Sequence, residues 1–281
     1  MSEAMMNQVQ PLHTPAYGSL ASDPWSLVRR IERTRDLAFA HSIDLRVTEL
    51  LGPRDGGRYL DVGSGTGEDA CELAELVGGG GLVLGVDIGV AELAAATKRA
   101  DGLKLPIKFV RADALRLPFL DSVFDGCREE RVLQHADDPG RAVAEMARVT
   151  RSGGRIVACE PDWGTAVIHG ADRETTRLIL DAWGRSLRHG FIGRAVPGLF
   201  AAAGLRDIGV DPFTELSRLA GYPSAREQQE WDVTSGASTA EAMGAVSAES
   251  ISIWLDQLDE AVRLGTFFMS LTCFLVSGRK R

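Results

Sequence analysis

The sequence predicts an α/β protein with a doubly wound, mostly parallel seven-stranded sheet, its last strand antiparallel, and a helical cap. Three observations predict it. Short all-apolar runs alternate with amphipathic segments, the pattern of buried parallel strands joined by right-handed crossover helices. The run RYLDVGSGTGEDA passes from a strand through a loop with glycines at 63, 65 and 67 into a helix. Acidic residues fall at the ends of the strands that follow, where open α/β sheets bind ligands.

Residues 1–22 are polar and rich in turn formers, among them Pro11, Pro15 and Gly18, and are expected to form an arm or lid. Asp23-Pro24 is a helix start signal, and the apolar spacing predicts a helix to about Leu51, stopped by Gly52-Pro53. A strand is expected at 58–62, a helix at 68–77 with Ala70, Leu73, Ala74 and Val77 on one face, a strand at 82–87 and a helix at 90–100. Strands at 107–111 and 123–128, a helix at 139–149 and a strand at 155–160 continue the alternation. Beyond Pro161 the pattern predicts helices near 172–188 and 194–203, a strand near 205–211, helical segments near 224–233 and 247–263, and a closing strand at 267–277. Three regions follow: an arm and helix at 1–54, a ligand-binding core at 55–165, and at 166–281 the rest of the sheet with the cap helices.

A chain of 281 residues is long enough to bury a full core and to carry a cap. Its net charge of −8 argues against a nucleic-acid partner held by phosphate neutralisation. The basic end Arg279-Lys280-Arg281 reads as a solvated tail. Cys71, Cys127, Cys159 and Cys273 lie singly in apolar segments, so neither a metal site nor a disulfide framework is expected. The N-terminal stretch lacks the pattern of a secretion signal, and the run FFMSLTCFLV is about half the length of a membrane span. A cytosolic monomer or homodimer acting on a small molecule is expected.

The glycine loop decides the ligand. A dinucleotide site uses G-x-G-x-x-G and leaves the helix N-terminus free for a pyrophosphate. This chain reads G-x-G-x-G, with Glu68 and Asp69 in the first helical turn, where they would repel phosphate. A phosphate-free cation fits better, and S-adenosylmethionine, with a sulfonium and an ammonium, is a nucleoside of that kind. Asp87 ends the second strand, 20 residues past Gly67, where it can accept both ribose hydroxyls or cap the next helix. Asp113-Ala114 follows the third strand and can read an adenine edge, or simply make a turn. The fourth strand leads into a charged loop, Arg128-Glu129-Glu130-Arg131, expected nearest the reacting carbon. His135 beyond it is a candidate general base, or a cap for the helix that follows, with Glu129 the second candidate base.

LDVGSGTG at 60–67, VDIG at 86–89, RADALRLPF at 111–119, FDGCREERVLQH at 124–135 and AVAEMARVTRSGGRIVACEP at 142–161 together resemble the class I S-adenosylmethionine-dependent methyltransferases, especially those similar to the ubiquinone and menaquinone biosynthesis enzymes. The resemblance implies a Rossmann-like fold and S-adenosylmethionine as cofactor. It implies that Asp61 and the loop Gly63-Ser64-Gly65-Thr66-Gly67 hold the methionine part, Asp87 and Ile88 the ribose, and Asp113-Ala114 the adenine, with Glu130 and Arg131 also at the cofactor. Glu130 departs from the small polar residue often found there, and Ser152 stands where R-P-G-G has proline.

Methyl transfer from a sulfonium needs mainly positioning and a dry site. The acceptor is expected to be small and lipophilic or aromatic, enclosed by the N-terminal arm and the cap. Trp163, just past the fifth strand, and Tyr17, from the arm, are the candidate wall residues, and Trp183, Trp231 and Trp254 are expected on cap helices. The alternative is a protein with this fold and cofactor that performs another reaction, such as a cyclisation, or only binds. A nicotinamide-dependent oxidoreductase is disfavoured by Glu68 and the glycine spacing.

Overall fold

The computed structural model describes residues 38–217 and 233–281. Helix α1 (Ala38–Leu51) leads into β1 (Arg58–Val62), α2 (Glu68–Val77), β2 (Leu82–Asp87), α3 (Val90–Ala100), β3 (Ile107–Arg111), β4 (Phe124–Glu130), α4 (Pro139–Val149) and β5 (Thr150–His169). Then follow α5 (Arg173–Ser186), a 3-10 turn (Ile192–Arg194), α6 (Val196–Ala202), β6 (Arg206–Ser217), α7 (Val233–Ala242), α8 (Ala248–Arg263) and β7 (Phe268–Arg279). The strands form one sheet in the order β3-β2-β1-β4-β5-β7-β6. β1 to β5 pair in parallel, and β7 is antiparallel to both of its neighbours. The order reverses between β1 and β4, which makes the ends of these two strands the ligand crevice of a doubly wound sheet.

Local chemistry sets the element ends. Gly67, at φ 80°, starts α2, and a Cβ there would meet the Phe109 ring at 2.6 Å, so both the backbone turn and the packing require glycine. Asp138 caps α4 by accepting from Arg141 N at 2.9 Å, with Pro139 just inside. Asp172 caps α5 in the same way through Thr175 N at 2.8 Å.

Three apolar clusters hold the fold. Ile43, Val47, Leu51, Tyr59 and Leu73 pack α1 and α2 on one sheet face, and Leu60, Val62, Phe124, Met146 and Phe200 pack α4 and α6 on the other. The third lies among α5, α7, α8 and the overhanging ends of β5 and β7, around Ile179, Trp254, Leu258 and Phe267. There the buried indole of Trp254 donates Nε1–H to Thr176 Oγ1 at 2.8 Å.

The structure differs from the sequence expectation in four places. β4 continues to Glu130, so Arg128, Glu129 and Glu130 belong to the strand and not to a loop. β5 extends to His169 past a register shift between Asp162 and Val167, because the overhanging end of β7 pairs with it. β6 runs on to Ser217 for the same reason. α7 has no counterpart among the expected helices; its sequence VTSGASTAEA offers little apolar periodicity, and it forms by packing Val233, Ala237 and Ala240 against the cap. Tyr17, Trp231, the arm and nearly all of the expected 224–233 helix lie outside the described residues. Among the described residues, no helix is long and apolar enough to cross a membrane.

Candidate functional site

The ends of β1 to β4 bring the sequence-expected residues to one sheet edge. Gly63 leaves β1 at φ 72°, and a Cβ there would collide with the side chain of Val132, from the turn after β4. The loop and that turn are thus in direct contact, and glycine is what lets them meet. Asp87 Oδ2 accepts from Gly65 N at 2.9 Å and Oδ1 from Gly89 N at 2.8 Å. Burial pushes this carboxyl above the usual aspartate range, against the opposing pull of those two N–H groups. Each oxygen keeps a second lone-pair direction, so the group can still accept from hydroxyls. Ile88 follows it, its carbonyl accepting from Arg111 Nε at 3.1 Å. At the end of β3, Asp113 Oδ1 accepts from Leu115 N at 2.9 Å, an Asx turn that holds the Asp113-Ala114 corner.

The glycine loop is backed by a buried charge cluster that sequence reading did not assemble. The β1–β4 register sets Asp61 opposite Arg128. Arg128 is 2% exposed, and its guanidinium contacts Asp61 at 3.4 Å, Asp69 at 2.7 Å and Glu130 at 3.1 Å. Asp44 of α1 lies in the same cluster, its carboxylate near those of Asp69 and Glu130. Burial alone would lower the Arg128 pKa; Asp69 and Asp61 outweigh it and keep the group charged. Four carboxylates thus surround one guanidinium. Glu68 is engaged by Arg99 of α3, so both acids of the first helical turn have arginine partners. The signal for Arg128 was present in the sequence as a charge inside a strand, but its partners lie on three other elements.

The remaining expected residues surround the end of β4. Arg131 adopts φ 56° and donates its N–H to Cys159 O at 2.9 Å, which turns the chain away from the sheet. Its side chain reaches Glu130 at 3.4 Å. His135 is exposed in the turn that follows, its N–H bonded to Val132 O. Glu129 is fully buried and accepts from Val132 N at 3.1 Å. Trp163 packs edge-on against Trp183 of α5 at 5.8 Å, and its backbone N–H donates to Gly190 O. An open groove of about 680 Å³ lies farther out, between the end of β5 and α8, and is lined by His169, Asp172 and Gln257 and by none of the loop residues.

Residues 60–158 match the methyltransferase domain family. This core belongs to the class I S-adenosylmethionine-dependent methyltransferases. Over 115 residues, 41% of this chain, the methyltransferase core is 36% identical to a ubiquinone/menaquinone biosynthesis C-methyltransferase of Bdellovibrio bacteriovorus, and spans 48% of that enzyme. A longer match, 33% identical over 241 residues, covers 84% of this chain and 66% of an uncharacterized 37.1 kDa protein in transposon TN4556 of Streptomyces fradiae. The chain therefore spans less than two thirds of either curated relative. Among solved structures, the 4+2 cyclase SpnF superimposes with a TM-score of 0.53 at 22% identity, covering 86% of this chain and 80% of the cyclase, a likeness of fold.

Proposed function

We propose that the protein transfers a methyl group from S-adenosylmethionine to a small lipophilic or aromatic acceptor. The observation that carries this reading is the excess of carboxylate at the glycine loop: four acids around Arg128, with Asp87 beside them. That field attracts a sulfonium and an ammonium and repels a pyrophosphate. The residues present fit this cofactor. Asp61 and the loop from Gly63 through Ser64, Gly65 and Thr66 to Gly67 would hold its methionine part, with Glu130 and Arg131 beside them; Asp87 and Ile88 would hold the ribose, and Asp113 and Ala114 the adenine.

When bound, S-adenosylmethionine supplies a methyl group already activated by its sulfonium. The chain's own residues align the acceptor for in-line displacement, exclude water and, for a hydroxyl acceptor, remove a proton. His135, exposed at the β4 turn, is the candidate base; Glu129, which is enclosed, is the second. Tyr17 and Trp163 are proposed to wall the acceptor, with 1–54 as lid, 55–165 as the cofactor-binding core and 166–281 as the rest of the sheet and its cap. The shared fold with a cyclase supports a second reading, a cofactor-binding protein that performs a reaction other than methylation.

Calorimetric titration with S-adenosylmethionine, its demethylated product and NAD tests the proposal. Asp87→Ala should weaken S-adenosylmethionine binding at least about tenfold, through loss of charge-assisted hydrogen bonds. Unchanged affinity in the folded variant removes the ribose assignment, and binding of NAD alone removes the function. Binding without turnover across a broad acceptor screen favours the second reading.

A further inference from the structure

Behind the β4 turn lies a second buried acid group, and it has no arginine in it. Glu129 and Glu160, near the ends of the paired strands β4 and β5, are both 0% exposed. Glu129 Oε2 accepts from Val132 N at 3.1 Å. Glu160 Oε1 accepts from Leu133 N at 2.5 Å and Gln134 N at 3.4 Å. The other two oxygens, Glu129 Oε1 and Glu160 Oε2, are enclosed and reach no N–H or O–H donor. The two carboxyls act directly on each other from the same face of the paired strands. Two ionised carboxylates offer acceptors only, and like charges in contact inside a protein do not both persist, so one of the two must carry a proton.

We propose that Glu129 and Glu160 share a single proton, and that this acid–carboxylate pair is the positioning device for the 131–135 turn at the acceptor edge. Three successive backbone N–H groups of the turn end on the pair. The turn passes its position onward: Gln134 O accepts from His189 N at 3.2 Å, and Gly190 O accepts from Trp163 N at 3.0 Å. Residues at 132–135, 163 and 189–190 are therefore set by one buried contact chain. The pair holds the turn through this chain's own residues, whichever reaction the site performs.

The titratable neighbours that act most strongly on the pair are acids. Glu130 on β4 and the thiols of Cys127 on β4, Cys159 on β5 and Cys273 on β7 act on it as acids. Arg128 leaves the opposite face of β4 for its own carboxylates, and His189 meets the turn through its main chain. Burial raises both carboxyls above the usual glutamate range, and the neighbouring carboxyl raises Glu129 further, so the pair holds its proton where a free glutamate has lost it. The folded chain thus holds a proton that the unfolded chain has released. Stability from the pair is full below the ordinary glutamate range and is lost progressively as pH rises above it into the pair's raised range.

Difference infrared spectroscopy of the full chain, with thermal unfolding and amide exchange followed across pH, tests the proposal. In the wild-type chain a protonated-carboxyl stretch is expected at pH 7 and should vanish on alkalinisation. The unfolding equilibrium constant should rise by up to about tenfold per pH unit over that interval. Exchange at Val132, Leu133 and Gln134 should accelerate beyond the intrinsic rate in step with it. Glu160→Gln keeps an acceptor for Leu133 and Gln134 and gives Glu129 an N–H donor. That variant should lose the infrared band, keep turn protection, and change its unfolding constant less than about twofold per pH unit. Glu160→Asp, too short to span the gap, should lose protection. A wild-type chain with no protonated carboxyl at pH 7, or Glu160→Gln with the wild-type pH slope, overturns the proposal. The wild-type spectrum decides even if a variant does not fold.

Discussion

Arg128 and Glu129 are consecutive on β4, and because side chains alternate across a strand they enter opposite sides of the sheet. Toward α1 and α2, Arg128 meets Asp44, Asp61, Asp69 and Glu130; toward the β4 turn, Glu129 meets Glu160. Both are concentrations of acid removed from water, where an uncompensated charge is costly. One side is compensated by a guanidinium, which stays charged at every accessible pH, and the other by a proton, which does not. Backing the glycine loop with the permanent cation gives that loop a fixed field. Holding the β4 turn through a proton makes that turn sensitive to its surroundings.

The largest effect expected of a single change is on the arginine side. Arg128→Met leaves four buried carboxylates without their guanidinium and should cost about 3–5 kcal/mol in urea unfolding at pH 7. Much of that loss should return as pH falls, because the orphaned acids then take up protons and the cation site becomes a proton site. A loss under about 1 kcal/mol would erase the distinction between the two faces. On the proton side, raising the pH of the wild-type chain above neutral should remove up to about 1.4 kcal/mol per pH unit by the same measurement, and Glu160→Gln should remove most of that dependence. Thr176→Val, which leaves the buried Trp254 indole without its acceptor, is the uncharged counterpart: about 1–2 kcal/mol, with no pH dependence. Glu260→Gln breaks an exposed pair with Arg263 on α8 and should leave the urea midpoint unmoved.

The sheet edge was largely legible because its punctuation is local. Glycines at 52, 63, 67 and 78, and prolines at 53 and 139, bound β1, α2 and α4 where the expected ends fall. Asp87 and Asp113 could be found because a strand end is visible in the chain itself. Glu129 and Glu130 were read as loop, with Arg128 at the end of the expected strand, because three charges in a row suit a solvated surface. Their place in a buried strand depends on Asp44, Asp69 and Glu160, which come from other elements, and one sequence shows no pairing across such separations. The same limit hid Glu160, which reads only as the last residue of an apolar strand. α7 was missed for a related reason: a helix made of small residues owes its existence to the surface it covers.

The cap is built around its own buried tryptophan, and its apolar cluster shares no residue with those on the two sheet faces. Such a unit can open and reclose as a cooperative block while the sheet stays intact, so α5, α7 and α8 should exchange their amide hydrogens together and sooner than β1 or β4. It can also drift in sequence with little effect on the glycine loop, whose apolar packing it does not share.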